Sequence, residues 1–446
     1  MSKTERNKLL PEKGIKPNML LEMLNNAKQN DADWENGRLW GLTYYAGRKH
    51  VNLLTKAYRI YYSENALGPD VFPSLKKFEA EVVSIILSLL HGDKDTAGSM
   101  TSGGTESILL SVKAHRDYFR AQRPGLKEPE MVIPATAHPA FLKAAHYFDI
   151  KPVLIPVDEN YKADSKKIEN ACNERTIMIV ASAPSFPQGV LDPISEIGAI
   201  ALSRGVGLHV DACLGGFFLP FMKKLGYKIP GFDFSVPGVT AISSDLHKYG
   251  FASKGASAVL YKNAEYRRHQ FFVSTEWPGG CYASPTMLGT RSGGLIAAAW
   301  TALMSLGEKG YMDLVKKTMK GTKKIIAGIK RIPGMRIVGQ PQMSVFSYTS
   351  TRNNLSGIAN RMEQKGWWMN RQNNPESLHM IITPAHLKSI DVFLGDLATC
   401  VAQEDGNPSI SVSGERNVLY GGKLKCPDMR DTAESLFQNI EKNYQL

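Results

Sequence analysis

Residues 243–255 read SSDLHKYGFASKG and place Lys248 and Lys254 among small neighbours. Two ammonium groups so close, with little bulk between them, repel each other. The conflict disappears if one of them is not charged in use. A lysine made neutral by desolvation or by a nearby cation is a nucleophile that bonds to aldehydes. Lys248 is therefore read as the covalent anchor of an aldehyde and Lys254 as a cation for a phosphate. Three other stretches carry suitable chemistry. TSGGTES (101–107) opens a helical segment. Gly103 and Gly104 let backbone approach an anion at the helix N-terminus, and Thr105 and Ser107 add hydroxyls. A plain glycine-rich helix cap reads the same way. HVDACLGG (209–216) puts Asp211 at the end of an apolar strand, where it suits either a protonated ring nitrogen or an N-cap. TAHPAF (136–141) puts His138 just past a strand, where it stacks on a flat ring or serves structure.

Taken in order, a phosphate cup, a ring-stacking histidine, a strand-end aspartate and a His-Lys pair describe pyridoxal 5'-phosphate, an aldehyde-bearing pyridine with a phosphate. The elements that must position them alternate. Strands are expected at 131–135, 152–157, 176–182, 207–212, 241–245 and 257–261, with helices such as 106–122 and 194–205 between them. That alternation implies an α/β fold with a mostly parallel central sheet flanked by helices. Ligands of such sheets bind beyond the carboxyl ends of the strands, where each of these motifs falls. After about residue 305 a long helix (309–331), the runs MRIVG, MSVFSYTS and LHMIITP, and a helix at 386–403 suggest a smaller C-terminal α+β domain. The division expected is 1–60 for an N-terminal arm with an amphipathic helix at 18–29, 61–305 for the large cofactor-binding domain, and 306–446 for the small domain.

The bulk numbers narrow the function classes. A chain of 446 residues, 43% hydrophobic and 22% charged, has the composition of a globular protein. The formal charge of +12 favours anionic partners. The basic residues are spread out and the densest cluster, 315–331, reads as a solvated helix face, so nucleic acid is not expected. The five cysteines form no CxxC pair or His/Cys ligand cluster, so no metal site or disulfide framework is expected and a reducing cytoplasm fits. The polar N-terminus lacks the apolar core of a signal peptide. No apolar run reaches the ~18 residues of a membrane span. The longest, VVSIILSLL (82–90), reads as buried core, and FFLPFM (217–222) as core, dimer contact or the lining of an apolar channel.

Five stretches, TSGGTES, APSFPQGVLDP, HVDACLGGF, SSDLHKYGFASKGAS and STEWPGGCYASPTMLGTRSGG, resemble the sphingosine-1-phosphate lyases, within the group II decarboxylase branch of fold-type I pyridoxal-phosphate enzymes. The resemblance implies that Lys248 bonds the cofactor, Asp211 pairs with its ring nitrogen and His138 stacks on the ring. It implies a small side chain, Cys213, on the opposite face. Gly103, Gly104, Thr105 and His247 match the cofactor-phosphate site, and Thr290 a position that reaches that phosphate from the neighbouring subunit. Tyr44, Lys254 and Tyr420 match positions used for the substrate phosphate or for bond breaking. Gly68 stands where the family often has histidine, and Ser253 where proline is common. The implied activity is retro-aldol cleavage of a phosphorylated sphingoid base to a long-chain aldehyde and phosphoethanolamine, in a homodimer with shared sites, without the membrane anchor of eukaryotic members. Peripheral membrane contact and delivery out of the producing cell stay open. The competing expectations are an amino-acid decarboxylase of the same branch and a non-catalytic basic protein that binds anions or membranes.

Overall fold

The computed structural model describes residues 10–352 and 354–405. Seven strands form the central sheet: β1 (Ala97–Thr101), β2 (Glu130–Pro134), β3 (Lys151–Ile155), β4 (Thr176–Ser182), β5 (Gly207–Asp211), β6 (Ala241–Ser244) and β7 (Ser257–Tyr261). Their spatial order is β1-β7-β6-β5-β4-β2-β3. β7 runs antiparallel to β1 and β6, and the other neighbours are parallel. Every residue of β4 is buried, as expected of a central parallel strand covered by helices on both faces. The apolar runs therefore signalled β2–β7 correctly.

β1 was not expected. Its sequence, AGSMT, has little strand propensity of its own. Tertiary pairing fixes it instead: Gly98 sits opposite Leu260, and a Cβ on Gly98 would lie 2.6 Å from the Leu260 side chain. The expected long helix follows a non-helical break at Gly307, and a second helix precedes that break, the two together spanning Gly293–Arg331. It runs from the large domain into the small one. Phe217, Phe218, Leu219, Phe221 and Met222 are core residues of the large domain.

A hairpin of β8 (Phe272–Ser274) and β9 (Tyr282–Ser284) precedes the small domain. There β10 (Met335–Val338), β11 (Val345–Ser350), β12 (Asn370–Asn373) and β13 (Glu376–Ile381) form an antiparallel sheet in the order β10-β11-β13-β12, with a second apolar core behind it. β12 is polar and was not legible as a strand. The N-terminal segment is no separate arm along its whole length. The helix Pro17–Ala27 buries nothing against the described residues. Trp40, by contrast, is a core residue of the small domain, stacked on His386 with ring centroids 4.5 Å apart. Past that anchor the chain carries Tyr44 back to Tyr249, edge to face at 5.0 Å. Among the described residues no helix is long and apolar enough to cross a membrane.

Candidate active site

The segments that follow β2, β4 and β6 open on one cavity of roughly 510 Å³, lined on its far side by β12 of the small domain. His138, His247, Lys248, Lys254 and Tyr44 line it. His138 follows β2, with Nδ1 accepting the Ala140 amide at 3.1 Å. Burial lowers its pKa and Lys248 adds to that, while Asp211 and Asp245 pull the other way. These four side chains are thus within electrostatic reach of one another. Asp211 Oδ1 accepts the Cys213 amide at 3.0 Å and the Ser243 hydroxyl at 3.2 Å. Burial, with the charges of Asp211 and Asp245, raises the Cys213 pKa and keeps it a thiol.

The opening puzzle of the two lysines is resolved by a residue that sequence analysis passed over. Asp245, 1% exposed, lies 2.9 Å from Lys248 Nζ and 3.6 Å from His247 Nε2. Burial alone lowers the Lys248 pKa. The Asp245 charge opposes it and wins, so the amine is held well above its ordinary range. The signal was present in DLHK, where a carboxylate three residues before the lysine reaches it across the turn. Lys254 takes the other course. Desolvation and the Lys248 charge lower it to about 8. Its ammonium lies 4.9 Å from the Tyr44 ring centroid and donates to the His247 carbonyl at 3.3 Å.

The glycine turn fits an anion. Gly104 begins the helix Gly104–Gln122, whose first amides have no intrahelical acceptor. Glu106 and Ser107 hold the turn: Glu106 accepts the Ser102 amide at 2.5 Å, and Ser107 Oγ bonds Thr101 Oγ1 at 2.6 Å. A Cβ on Gly103 would come within 3.7 Å of His247 Cε1, so the histidine borders the cup. Thr290 is not brought to this cavity. It is exposed, accepts from Asn65 Nδ2 at 3.3 Å, and lies in the loop before Gly293. Gly68 is likewise in a loop outside the cavity lining, and Tyr420 lies outside the described residues. Two lining residues were not singled out from the sequence: Phe186, from the turn after β4, stacks on His379 of β13 at 4.1 Å.

Residues 53–350 match the pyridoxal-dependent decarboxylase conserved domain. A sphingosine-1-phosphate lyase of Arabidopsis thaliana is 45% identical over 99% of this chain and 82% of its own length. The chain belongs to the sphingosine-1-phosphate lyase family. A rice relative of the same name is 46% identical over 97% of this chain and 81% of its own length. The structure of a sphingosine-1-phosphate lyase from Burkholderia pseudomallei superposes with a TM-score of 0.89 at 36% identity, covering 98% of this chain and 97% of that one.

The cofactor of this lyase family is pyridoxal 5'-phosphate, and the residues present fit it on their own geometry. The Lys248 amine lines the cavity, the strand-end carboxylate of Asp211 acts on it electrostatically, and the glycine turn, with its unfilled amides, borders His247 beside it. Two buried oxygens at its edge, Thr136 Oγ1 and Asp245 Oδ1, have no hydrogen-bond partner among the described residues. Gly104 leaves room there: a Cβ would lie 2.8 Å from Cys213 Sγ and 2.9 Å from both Asp245 carboxylate oxygens. Gly104→Ala is expected to weaken cofactor binding about tenfold or more, since overpacking a buried site costs about 1–3 kcal/mol. Titration of the apoprotein with pyridoxal phosphate checks this, and wild-type affinity would refute the cradle.

Proposed function

We propose that this protein cleaves phosphorylated sphingoid bases, sphingosine 1-phosphate among them, between the amine-bearing and hydroxyl-bearing carbons, releasing a long-chain aldehyde and phosphoethanolamine. The observation that carries the reading is the second cation. Lys254 and Tyr44 stand on the same cavity as Lys248. Among the described residues no carboxylate lies within 4.0 Å of the Lys254 ammonium. A site built for the cofactor's phosphate alone has no use for it.

When bound, pyridoxal phosphate supplies the electron sink for breaking the carbon–carbon bond. Lys248 bonds the cofactor. The turn from Gly103 to Thr105, with His247, takes its phosphate. Asp211 would hold the ring nitrogen, and His138 and Cys213 would pack against the ring. Lys254 and Tyr44 hold the substrate's phosphate. Once displaced from the cofactor, the Lys248 amine would accept the hydroxyl proton, be held as an ammonium by Asp245 at 2.9 Å, and return that same proton to the carbon left behind. One positioned proton-transfer group is worth about 10²–10⁴-fold in rate. The deciding assay incubates the purified protein with phosphorylated sphingosine and with a panel of amino acids. Fatty aldehyde supports the reading. Carbon dioxide from the amino acids would assign the decarboxylase reaction instead, and neither product a non-catalytic role.

With its pKa near 8, Lys254 is about nine-tenths cationic at pH 7 and mostly neutral by pH 9. Bonding to the cofactor removes the Lys248 charge and leaves desolvation to hold the Lys254 pKa down, so KM is expected to rise as pH climbs above 8. Lys254→Ala raises KM at pH 7, leaves the spectrum of bound cofactor unchanged and flattens this rise. A KM indifferent to the substitution would remove Lys254 from the phosphate site.

We further infer a homodimer with shared sites. Thr290 is exposed and outside the lining of its own cavity, and Phe272, Val273 and Trp277 on and beside the β8–β9 hairpin are exposed apolar side chains. Sedimentation should give twice the chain mass of 49.2 kDa. A fully active monomer would refute sharing. Cys172, Cys213, Cys281 and Cys400 are free thiols, which suits the cytoplasm. Recovery of the native protein with secreted proteins would contradict that compartment.

A further inference from the structure

Behind Asp211 lies a row of buried polar side chains. Strand alternation puts Gly207, His209 and Asp211 on one face of β5. Ser111 and His115, one turn apart on the helix Gly104–Gln122, cover that face. Ser111, His115, His209 and Ser243 are all fully buried. Ser243 Oγ lies 3.2 Å from Asp211 Oδ1, His209 Nε2 3.1 Å from Ser243 Oγ, and His209 Nδ1 2.7 Å from Ser111 Oγ. Gly207 makes room for this arrangement, since a Cβ there would fall 2.3 Å from the His115 ring.

The protons can be assigned from chemistry. A carboxylate only accepts, so Ser243 donates to Asp211. A hydroxyl has one hydrogen, so Ser243 receives from His209, and His209 Nε2 carries the proton. Desolvation lowers the His209 pKa to about 3 against the pull of Asp211, so the ring is neutral and Nδ1 is bare. Ser111 Oγ therefore donates to Nδ1. The Cys213 thiol also lies against Ser243, but it keeps its own hydrogen and leaves the hydroxyl hydrogen to Asp211. His115 closes the row, its Nδ1 donating to the Ser111 carbonyl at 2.8 Å. Every donor in the row points the same way: Ser111 to His209 to Ser243 to Asp211.

We propose that Ser243 is a positioning residue for Asp211, locked as a donor by His209 and Ser111, so that with the Cys213 amide it fills Oδ1 and leaves Oδ2 ionised for the cofactor's ring nitrogen. This rests on the assignment of Asp211 to that nitrogen. The row itself is read without cofactor. Histidine-labelled apoprotein should show the His209 imidazole protonated at Nε2 and bare at Nδ1, with His209→Gln identifying the signal. The opposite tautomer reverses the row and overturns the proposal.

In the holoprotein carrying ¹⁵N-labelled pyridoxal phosphate, Ser243→Ala should move the ring-nitrogen resonance toward its unprotonated position. It should also weaken cofactor binding about tenfold, the order expected for losing one charge-assisted hydrogen bond. Ser243→Thr, which keeps the hydroxyl, restores both. If the alanine variant does not fold, Ser243→Cys, with its weaker donor, carries the same comparison. An unmoved resonance with wild-type affinity, or equal losses in the alanine and threonine variants, overturns the proposal. A resonance unmoved by Asp211→Asn sinks the Asp211 assignment instead, whatever the His209 tautomer.

Discussion

Lys248→Ala is expected to lose the near-visible absorbance of protein-bound pyridoxal phosphate and at least about 10⁴-fold in turnover. The size follows from two losses at one atom: the covalent anchor, and a proton-transfer group worth up to about 10⁴-fold on its own. The substitution also strands a charge. Asp245 is buried and loses the ammonium 2.9 Å away, keeping His247 at 3.6 Å. Some loss of stability is therefore expected from alanine, and it must not be mistaken for the chemical effect. Lys248→Arg separates them. A guanidinium keeps a positive charge for Asp245 but is never a neutral nucleophile at working pH. The arginine variant should fold with near wild-type thermal stability and be as spectrally silent and inactive as alanine. An arginine or alanine variant that kept the absorbance would take the anchor away from position 248.

How much of this was legible depends on where the information resides. Strands β2 and β4 announce themselves because central parallel strands are apolar on both faces, as in TIMIVAS, while the edge strand β3 and the antiparallel β7 were legible from their short apolar, β-branched runs. The site motifs fall at strand ends, so the fold rule and the residue types pointed to one place. What was not legible depends on partners distant in sequence. β1 is a strand because Gly98 allows close pairing with Leu260, and nothing in AGSMT says so. Phe186 and His379 meet only because two domains close on one cavity. Ser243 and His209 looked like ordinary strand residues. Their chemistry appears only when β5 and β6 come into register, with Asp211 opposite Ser243. Asp245 is different, because its distance from Lys248 along the chain was visible. What the sequence did not show was burial, and burial turns a nearby carboxylate into the group that sets the lysine's proton.

That dependence gives the second large effect its sign. Asp245→Asn keeps the shape and removes the charge. Desolvation is the largest influence on Lys248, and it acts downward; the Asp245 charge is the chief force against it. Without that charge desolvation should pull the Lys248 pKa down. The two consequences run in opposite directions. A neutral amine bonds an aldehyde more readily, so apoprotein carrying Asp245→Asn should capture pyridoxal phosphate faster than wild type at pH 7. The same nitrogen then holds no proton to return after bond breaking, so turnover should fall by about 10²–10⁴-fold, the range for one general acid. Stopped-flow absorbance reads the first and aldehyde release the second. A variant that merely disturbed packing would slow both steps together, and that result would reduce Asp245 to a structural partner. Faster capture with slower turnover requires a carboxylate whose work is to keep the lysine charged until the cofactor arrives, and to recharge it once the substrate has taken its place.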